Sequence, residues 1–82
     1  MNILIEVVTP GNGKVYELML DDKLTVGAAK EKIVDQVVAF ENGSIAFDED
    51  VALFAPVSRV RLPDHRNLRK AGLRSGQQVL LL

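Results

Sequence analysis

The chain has no cysteine and no tryptophan, a single histidine, and only four other aromatic residues in 82 positions. The missing cysteines exclude disulfides, thiolate metal sites and cysteine nucleophiles. No apolar run approaches the roughly 18–20 residues that a membrane-spanning helix needs, so no membrane insertion is predicted. The first residues lead directly into strand-like sequence without a secretion signal. With 48% apolar and 26% charged residues, the chain is predicted to form one small folded domain in the cytoplasm.

Residues typical of catalysis or of cofactor binding are equally scarce. His65 follows Asp64 in a polar turn, where neighbouring side chains diverge, so the two are not predicted to form a catalytic dyad. The acidic residues 48–50 lack the spacing of a calcium-binding loop. Residues 11–14 lack both the spacing of a phosphate-binding loop and a following helix. The sequence therefore predicts a protein that is not an enzyme and that has no catalytic, cofactor-binding or metal-binding residue.

Charge is unevenly distributed along the chain, although the net charge is only −1. Residues 1–57 contain four basic and ten acidic side chains, whereas residues 58–82 contain six basic and one acidic. Such a dipolar surface can orient an approaching partner. A nucleic-acid-binding module that uses the basic C-terminal third is the less favoured alternative. The sequence pI is about 5.7, and the few aromatic residues leave no platform on which bases stack.

The N-terminal quarter has the pattern of a β-hairpin. Ile3, Ile5 and Val7 occupy alternate positions, which is typical of a half-buried strand. A segment rich in turn-forming residues, including an Asn-Gly pair, separates this strand from a second alternating run. We therefore predict a hairpin over residues 2–20.

A helix and several short strands are predicted after the hairpin. An apolar stripe that begins at Val26 has helical spacing over about 13–15 residues. Thr25 is suited to cap its start, and Asn42 or Gly43 is suited to a left-handed cap at its end. Three further strands are predicted, with a turn around Leu68 before the last of them: residues 51–55, 57–62 and 77–82. The resulting order of strands and helix is an α+β arrangement.

Two sequence blocks resemble the ubiquitin-like β-grasp fold. In residues 20–33, LDDKLTVGAAKEKI, four positions carry residues typical of that family: Thr25, Lys30, Lys32 and Ile33. In the later block, four more residues recur at the intervals typical of the family: Leu62, Asp64, Arg66 and Leu68. The resemblance implies that residues 1–82 form a single ubiquitin-like domain. It also implies a mixed four- to five-stranded sheet with one helix packed across one face.

Among such domains, the chain is most similar to the small bacterial YukD/EsaB type, which is associated with type VII secretion. The likeness lies in the opening strand MNILIEV, in the apolar VALF at residues 51–54, and in residues 62–82. It implies a non-catalytic protein-interaction module, an accessory component or regulator of the secretion system. The implied partners are its membrane or ATPase components, and the implied location is either free in the cytoplasm or docked at the inner face of the membrane. An interaction or assembly subunit of another multiprotein complex is the alternative, and a homodimer also stays open.

The end of the sequence differs from that of ubiquitin. The chain stops at Leu82 within an apolar run and carries no terminal glycine pair. In the ubiquitin family, that pair belongs to a flexible tail whose carboxylate is activated. The resemblance therefore implies a protein that is neither conjugated to lysines nor adenylated at its C-terminus.

The periodicities also separate predicted core residues from predicted surface residues. The core is expected to contain apolar residues from every element: Ile3, Ile5, Tyr16, Leu18, Leu20, Val26, Ile33, Val37, Leu62, Leu68, Val79 and Leu81. If Val79 and Leu81 face the helix, alternation turns Leu80 and Leu82 to the open side of the sheet. The same rule turns Leu4 outward.

These outward leucines predict an apolar patch on the open side of the sheet, of the kind that marks a protein-binding surface. Leu53 is a further candidate whose facing the pattern leaves open, and three arginines are candidates for a positive rim. The candidate interaction face thus comprises Leu4, Leu53, Leu80, Leu82, Arg59, Arg61 and Arg66. On this view Leu80→Asp leaves the fold intact and abolishes partner capture.

Overall fold

The hairpin forms as predicted and makes up half of the sheet. The computed structural model describes all residues, 1–82. Strand β1, Asn2–Thr9, pairs antiparallel with strand β2, Lys14–Asp21, in a register that runs from Asn2↔Asp21 to Thr9↔Lys14. The connecting turn closes through a hydrogen bond of 2.9 Å from the Gly13 amide to the Thr9 carbonyl. Gly13 has φ +69°, a conformation that glycine adopts without steric cost.

The single helix, α1, spans Val26–Phe40. The Thr25 hydroxyl accepts a hydrogen bond of 3.1 Å from the Ala28 amide, so the predicted N-cap is confirmed. The chain leaves the helix through Asn42 and Gly43, which both have positive φ, and the Gly43 amide donates to the Val38 carbonyl. One stripe of the helix is buried: Val26, Ala29, Ile33 and Val37.

The remaining strands complete a mixed sheet of four strands. Strand β3 is Leu53–Phe54 and strand β4 is Gln78–Leu81, and the order across the sheet is β2-β1-β4-β3. The first and last strands pair in parallel at the centre, and β3 pairs antiparallel with β4. The buried helical stripe and the inward residues of the strands belong to one apolar cluster. This is the β-grasp arrangement that the sequence predicts.

The predicted strand at residues 57–62 is wrong. Only an isolated bridge joins Phe54 to Arg61, and residues 56–58 form a turn. Arg59 has φ +58°, which interrupts an extended backbone. The Arg59 amide donates to the Ala55 carbonyl, and the Ala55 amide donates to the Val60 carbonyl, both at 2.9 Å. These bonds close a tight loop in place of an edge strand, and the predicted strand at 51–55 is reduced to β3.

Every residue of the predicted core is buried. Ile33 and Leu68 have no exposed surface. Leu68 also joins the C-terminal segment to the start of the helix, because its amide donates to the Leu24 carbonyl at 2.9 Å. The structure adds further buried apolar residues to the prediction: Val7, Ala29, Val51, Ala52, Leu53, Leu73 and Leu80.

A network of polar side chains connects the start of β2 to the C-terminal end of the helix. The Lys14 ammonium group lies 2.8 Å and 2.9 Å from the two carboxylate oxygens of Glu41. The Tyr16 hydroxyl donates to the same carboxylate at 2.9 Å, and its ring stacks on Phe40 with ring centroids 5.9 Å apart. These hydrogen bonds, that from Lys14 first, lower the pKa of the Glu41 carboxyl from its ordinary value of 4.5. The network therefore stabilises the fold while Glu41 is ionised.

This network predicts an acid-dependent loss of stability. A carboxyl group with a depressed pKa in the folded state stabilises that state above its unfolded pKa, and the stabilisation is lost as the pH falls through the folded pKa. The wild-type protein is therefore expected to lose more stability than Glu41→Gln between about pH 6 and about pH 2. Urea unfolding at both pH values measures the difference. Glu31→Gln, on the exposed side of the same helix, should behave like wild type. Equal acid sensitivity of the wild type and Glu41→Gln would contradict the prediction.

Candidate interaction surface

The helix covers one face of the sheet, and the opposite face is open. Along β1, alternation places Ile3, Ile5 and Val7 in the core cluster. The residues between them point to the open face. Together with the matching positions of β2, the open-face residues of the hairpin are Asn2, Leu4, Glu6, Val8, Val15, Glu17, Met19 and Asp21.

Strand register aligns apolar residues in a row across all four strands of this face. Val15 lies opposite Val8, Val8 pairs with Leu80, and Leu80 pairs with Phe54. Partners in register point to the same side of a sheet. We call these residues, Val15, Val8, Leu80 and Phe54, the apolar row. Arg61, bridged to Phe54, stands at its end.

A second row, next to the apolar row, is acidic. Glu17 lies directly opposite Glu6, and we call these two residues the acidic pair. Gln78 continues the row on β4, and its side-chain amide donates to the Glu6 carboxylate at 3.1 Å. Beyond the acidic pair, Met19 lies opposite Leu4, and these two form the apolar pair. Adjacent rows are about 6.6 Å apart, since two residues of a strand separate them. The open face thus alternates apolar, acidic and apolar chemistry.

Exposure on this face increases toward β2. Leu80, on the central strand β4, is only 6% exposed, because β1 and β3 flank it with Val8 and Phe54. Val8 is intermediate. Val15 and Met19, on the edge strand β2, are 54% and 58% exposed. The apolar surface that a partner can reach is therefore centred on β2 and β1.

The four leucines of the predicted interaction face differ in position and exposure in the structure. Leu53 does not lie on the open face: it pairs with Leu81, is 1% exposed and belongs to the core. Leu80 lies on the open face but is buried by its neighbours. Leu4 lies there half-buried. Leu82 is 44% exposed, exchanges backbone hydrogen bonds with Ala52, and lines a shallow pocket with residues 46–48, 50 and 51.

The predicted arginine rim is reduced by the structure. Arg61 stands at the end of the apolar row, but its guanidinium lies 3.1 Å from the Asp64 carboxylate, an ion pair between exposed side chains. Arg59 lies in the loop beside it. The backbone of Arg66 lies at the start of the helix and not beside the apolar row, since its carbonyl accepts a hydrogen bond from the Val26 amide.

Sequence reasoning missed the most accessible part of this surface. Val15, Glu17 and Met19 alternate with the inward residues of β2, so the signal was the same period-two pattern that identified the strand. The pairing of Glu17 with Glu6 follows from the hairpin register, which is set by the turn. Phe54 joins the surface only through its pairing with Leu80. No local pattern encodes that contact.

Other functional chemistry has little support in the structure. His65 is exposed in the turn before Leu68. No group of three or more His, Asp or Glu side chains is placed to hold a metal ion. The helix is too short and too polar to cross a membrane.

Comparison with solved structures identifies the fold. The ubiquitin-like domain of EccD5 from Mycobacterium xenopi superposes with a TM-score of 0.82 at 12% identity, covering 100% of this chain and 93% of that one. A chain of the MycP5-free ESX-5 inner membrane complex superposes with a TM-score of 0.81 at 17% identity, over 99% of this chain but only 20% of that one. Ubiquitin from Caldiarchaeum subterraneum gives 0.73 at 24% identity, over 99% and 91%.

These structural neighbours share one fold with the chain although their sequences differ widely. Comparison of the sequence with protein-family models and with curated proteins finds no match. The structural likeness nevertheless covers the whole chain. The fold is therefore the ubiquitin-like β-grasp fold, and the resemblance first recognised in residues 20–33 and 62–68 is confirmed at the level of structure.

Proposed function

We propose that this ubiquitin-like domain is a non-catalytic protein-interaction module that binds a partner through the open face of its sheet. The observation that carries the proposal is the apolar row across four strands, with Val15 and Met19 more than half exposed on the uncovered side. Exposed apolar side chains gathered on one uncovered face of a small domain are typical of a binding site. The function proposed is non-covalent recognition.

We place this module in a bacterial type VII secretion system, as an accessory component or regulator. Two independent likenesses support the placement. The sequence resembles the YukD/EsaB type in its opening strand and its last segment, and the fold matches the EccD5 ubiquitin-like domain and a part of the ESX-5 inner membrane complex. In this proposal the domain acts in the cytoplasm, docked at the inner face of the membrane. Its partners are membrane or ATPase components of the system.

The charge of the open face argues against nucleic acid as the partner. Glu6 and Glu17 lie in the middle of the accessible surface, where they repel phosphate groups. Of the basic residues in the C-terminal third, Arg61 is already paired with Asp64. We therefore expect the immobilised protein to retain a negligible amount of a random oligonucleotide, at low salt and at high salt alike.

A charge placed on the open face should abolish partner capture without unfolding the domain. Met19→Asp introduces a carboxylate where the side chain is 58% exposed, so the fold is expected to survive while the apolar contact is lost. Val57→Asp, at a position that is 95% exposed in the loop after β3, is the matched control. Tagged variants are expressed in the native cells, and the captured proteins are identified by mass spectrometry. Circular dichroism verifies that both variants are folded.

Two features of the captured set decide different parts of the proposal. Loss of capture by Met19→Asp, with capture retained by Val57→Asp, supports the open face as the binding surface. Secretion membrane or ATPase components in the set support the cellular placement, whereas the subunits of another assembly would replace that placement. Identical capture by folded Met19→Asp and by wild type would refute the open face.

A further inference from the structure

We infer that the partner segment is an amphipathic helix that lies along β1 and β2 and sets a Lys or Arg on the acidic pair between two apolar anchors. The inference deepens the proposed function and depends on it. It rests on the order of chemistry across the open face, which is apolar row, acidic pair, apolar pair.

Charge complementarity identifies the central residue of the partner. Glu6 and Glu17 face each other across the hairpin, where opposing Cβ atoms are about 4.5–5.5 Å apart and like charges are destabilising. No ion pair of the structure includes either residue. The single polar contact to them is the Gln78 amide on Glu6. A partner cation placed between the two carboxylates removes their repulsion, so a basic residue is favoured there over a neutral or acidic one.

Spacing identifies the pattern of the partner. Neighbouring rows are about 6.6 Å apart along the strands. In a helix, residues four apart are separated by about 6 Å along the axis. A helix parallel to β1 therefore places an apolar residue at i on the apolar row, a Lys or Arg at i+4 on the acidic pair, and an apolar residue at i+8 on Met19 and Leu4.

Backbone hydrogen bonding favours a helix over an extended peptide. The amides and carbonyls of β1 are already paired with β2, with β4 and with residues 75–77 before it, so the open face of the sheet offers no backbone partners. An extended peptide laid on this face would leave its own polar groups unpaired against apolar side chains, whereas a helix satisfies them internally. A helix about 10 Å wide also spans the two accessible strands, which lie about 4.8 Å apart.

The same charges disfavour a second copy of the chain as occupant. A two-fold dimer brings the same patch of both subunits together. Centred on the acidic pair, it would set two acidic pairs against each other, with no basic residue beside Glu6, Glu17 and Gln78 in either copy. A partner with positive charge between apolar residues meets no such repulsion.

Two designed peptides test the inference on the intact domain. Both form the same soluble helix with Leu at i and i+8, and they differ only at i+4, which is Lys in one and Glu in the other. Their binding is followed by amide chemical shifts of the ¹⁵N-labelled protein. We expect the Lys peptide to shift amides of β1 and β2 and to bind at least about fivefold more tightly than the Glu peptide at low salt.

Charge reversal on the protein supplies the matched control. In Glu6→Lys/Glu17→Lys the preference should invert in favour of the Glu peptide. Glu17→Lys alone, at an exposed edge-strand position, should reduce the preference in a variant whose fold is little perturbed. Val57→Asp should leave the preference unchanged. Inversion in the double variant, or reduction in the single one, supports the ion pair.

The outcomes that overturn the inference differ from those that overturn the proposed function. Equal binding of both peptides to β1 and β2 overturns the inference that the partner carries a basic residue at this position. The open face then still stands as a binding surface. If neither peptide shifts the amide resonances of the protein, the inference of a helical partner is overturned. A protein dimer in sedimentation that Met19→Asp dissociates makes a second copy the occupant. The proposed function itself depends on the capture experiment with Met19→Asp, whatever these peptides do.

Discussion

Ile33→Ala and Leu68→Ala should each lower the free energy of unfolding by about 2–5 kcal/mol. Both side chains are fully buried, one in the middle of α1 and the other in the segment that closes the domain. Truncation removes apolar contacts and leaves a cavity that rigid neighbours fill only in part. Alanine is the better helix former by a few tenths of a kcal/mol. Ile33→Ala should therefore lie nearer the lower end of the range than Leu68→Ala.

Urea unfolding measures both losses, with Val57→Ala as the control. Val57 is 95% exposed, so its truncation should change the free energy by less than about 0.5 kcal/mol. In a domain of 82 residues, a loss of several kcal/mol is a large fraction of a total stability of about 5–15 kcal/mol. A loss below about 0.5 kcal/mol at either position would show that the side chain is not packed as described.

The agreement between predicted and observed core has a simple physical origin. In β1, β2 and α1, apolar residues recur with one clear period, and only one face of each element is buried. Periodicity then determines which side chains are buried. The burial of Ile33 and Leu20 follows from this spacing alone. Thr25 caps the start of the helix and Gly43 follows its end. Both positions are set by local backbone chemistry, which a sequence displays directly.

The sequence did not predict burial correctly where every residue of a segment is apolar. It also failed where burial depends on contacts between segments that are distant in the chain. Residues 51–54 read VALF, so alternation cannot tell which of them faces inward. The pairing of Leu53 with Leu81 decides it, and that register joins segments far apart in the chain. Residues 57–62 alternate as a strand does, yet the positive φ of Arg59 turns the backbone there. A non-glycine residue in that conformation leaves no mark in the apolar pattern.

The candidate surface shows a further distinction, between the face on which a residue lies and its exposure. Alternation correctly assigns Leu80 to the open face, but the exposure of a side chain there depends on the strands beside it. A central strand has neighbours on both sides, whereas the edge strand β2 has one. Met19 is therefore accessible and Leu80 is not. The proposed binding surface therefore lies on the hairpin and not on the C-terminal strand, where the sequence suggested it.

Leu80→Asp should consequently destabilise the domain instead of leaving it folded. Leu80 is 6% exposed and lies between Val8 and Phe54 in the apolar row. The nearest cation in that row, Arg61, stands beyond Phe54 and is already paired with Asp64. An aspartate at this position would be a buried charge without a partner, and we expect a loss of about 3–5 kcal/mol. Urea unfolding and the dispersion of amide chemical shifts measure the effect.

Two matched variants distinguish the effect of burial at this position from the effect of the introduced charge. Leu80→Met keeps the volume and polarity of the side chain, so it should cost less than about 1.5 kcal/mol. Met19→Asp introduces the same charge on the same face where the side chain is 58% exposed, and it should cost less than about 1 kcal/mol. If Leu80→Asp proves as stable as Met19→Asp, Leu80 is accessible in solution, and the interaction surface extends to the centre of the sheet. If it unfolds while Met19→Asp stays folded, loss of partner capture by Leu80→Asp reports on stability, and only the β2 variants test binding.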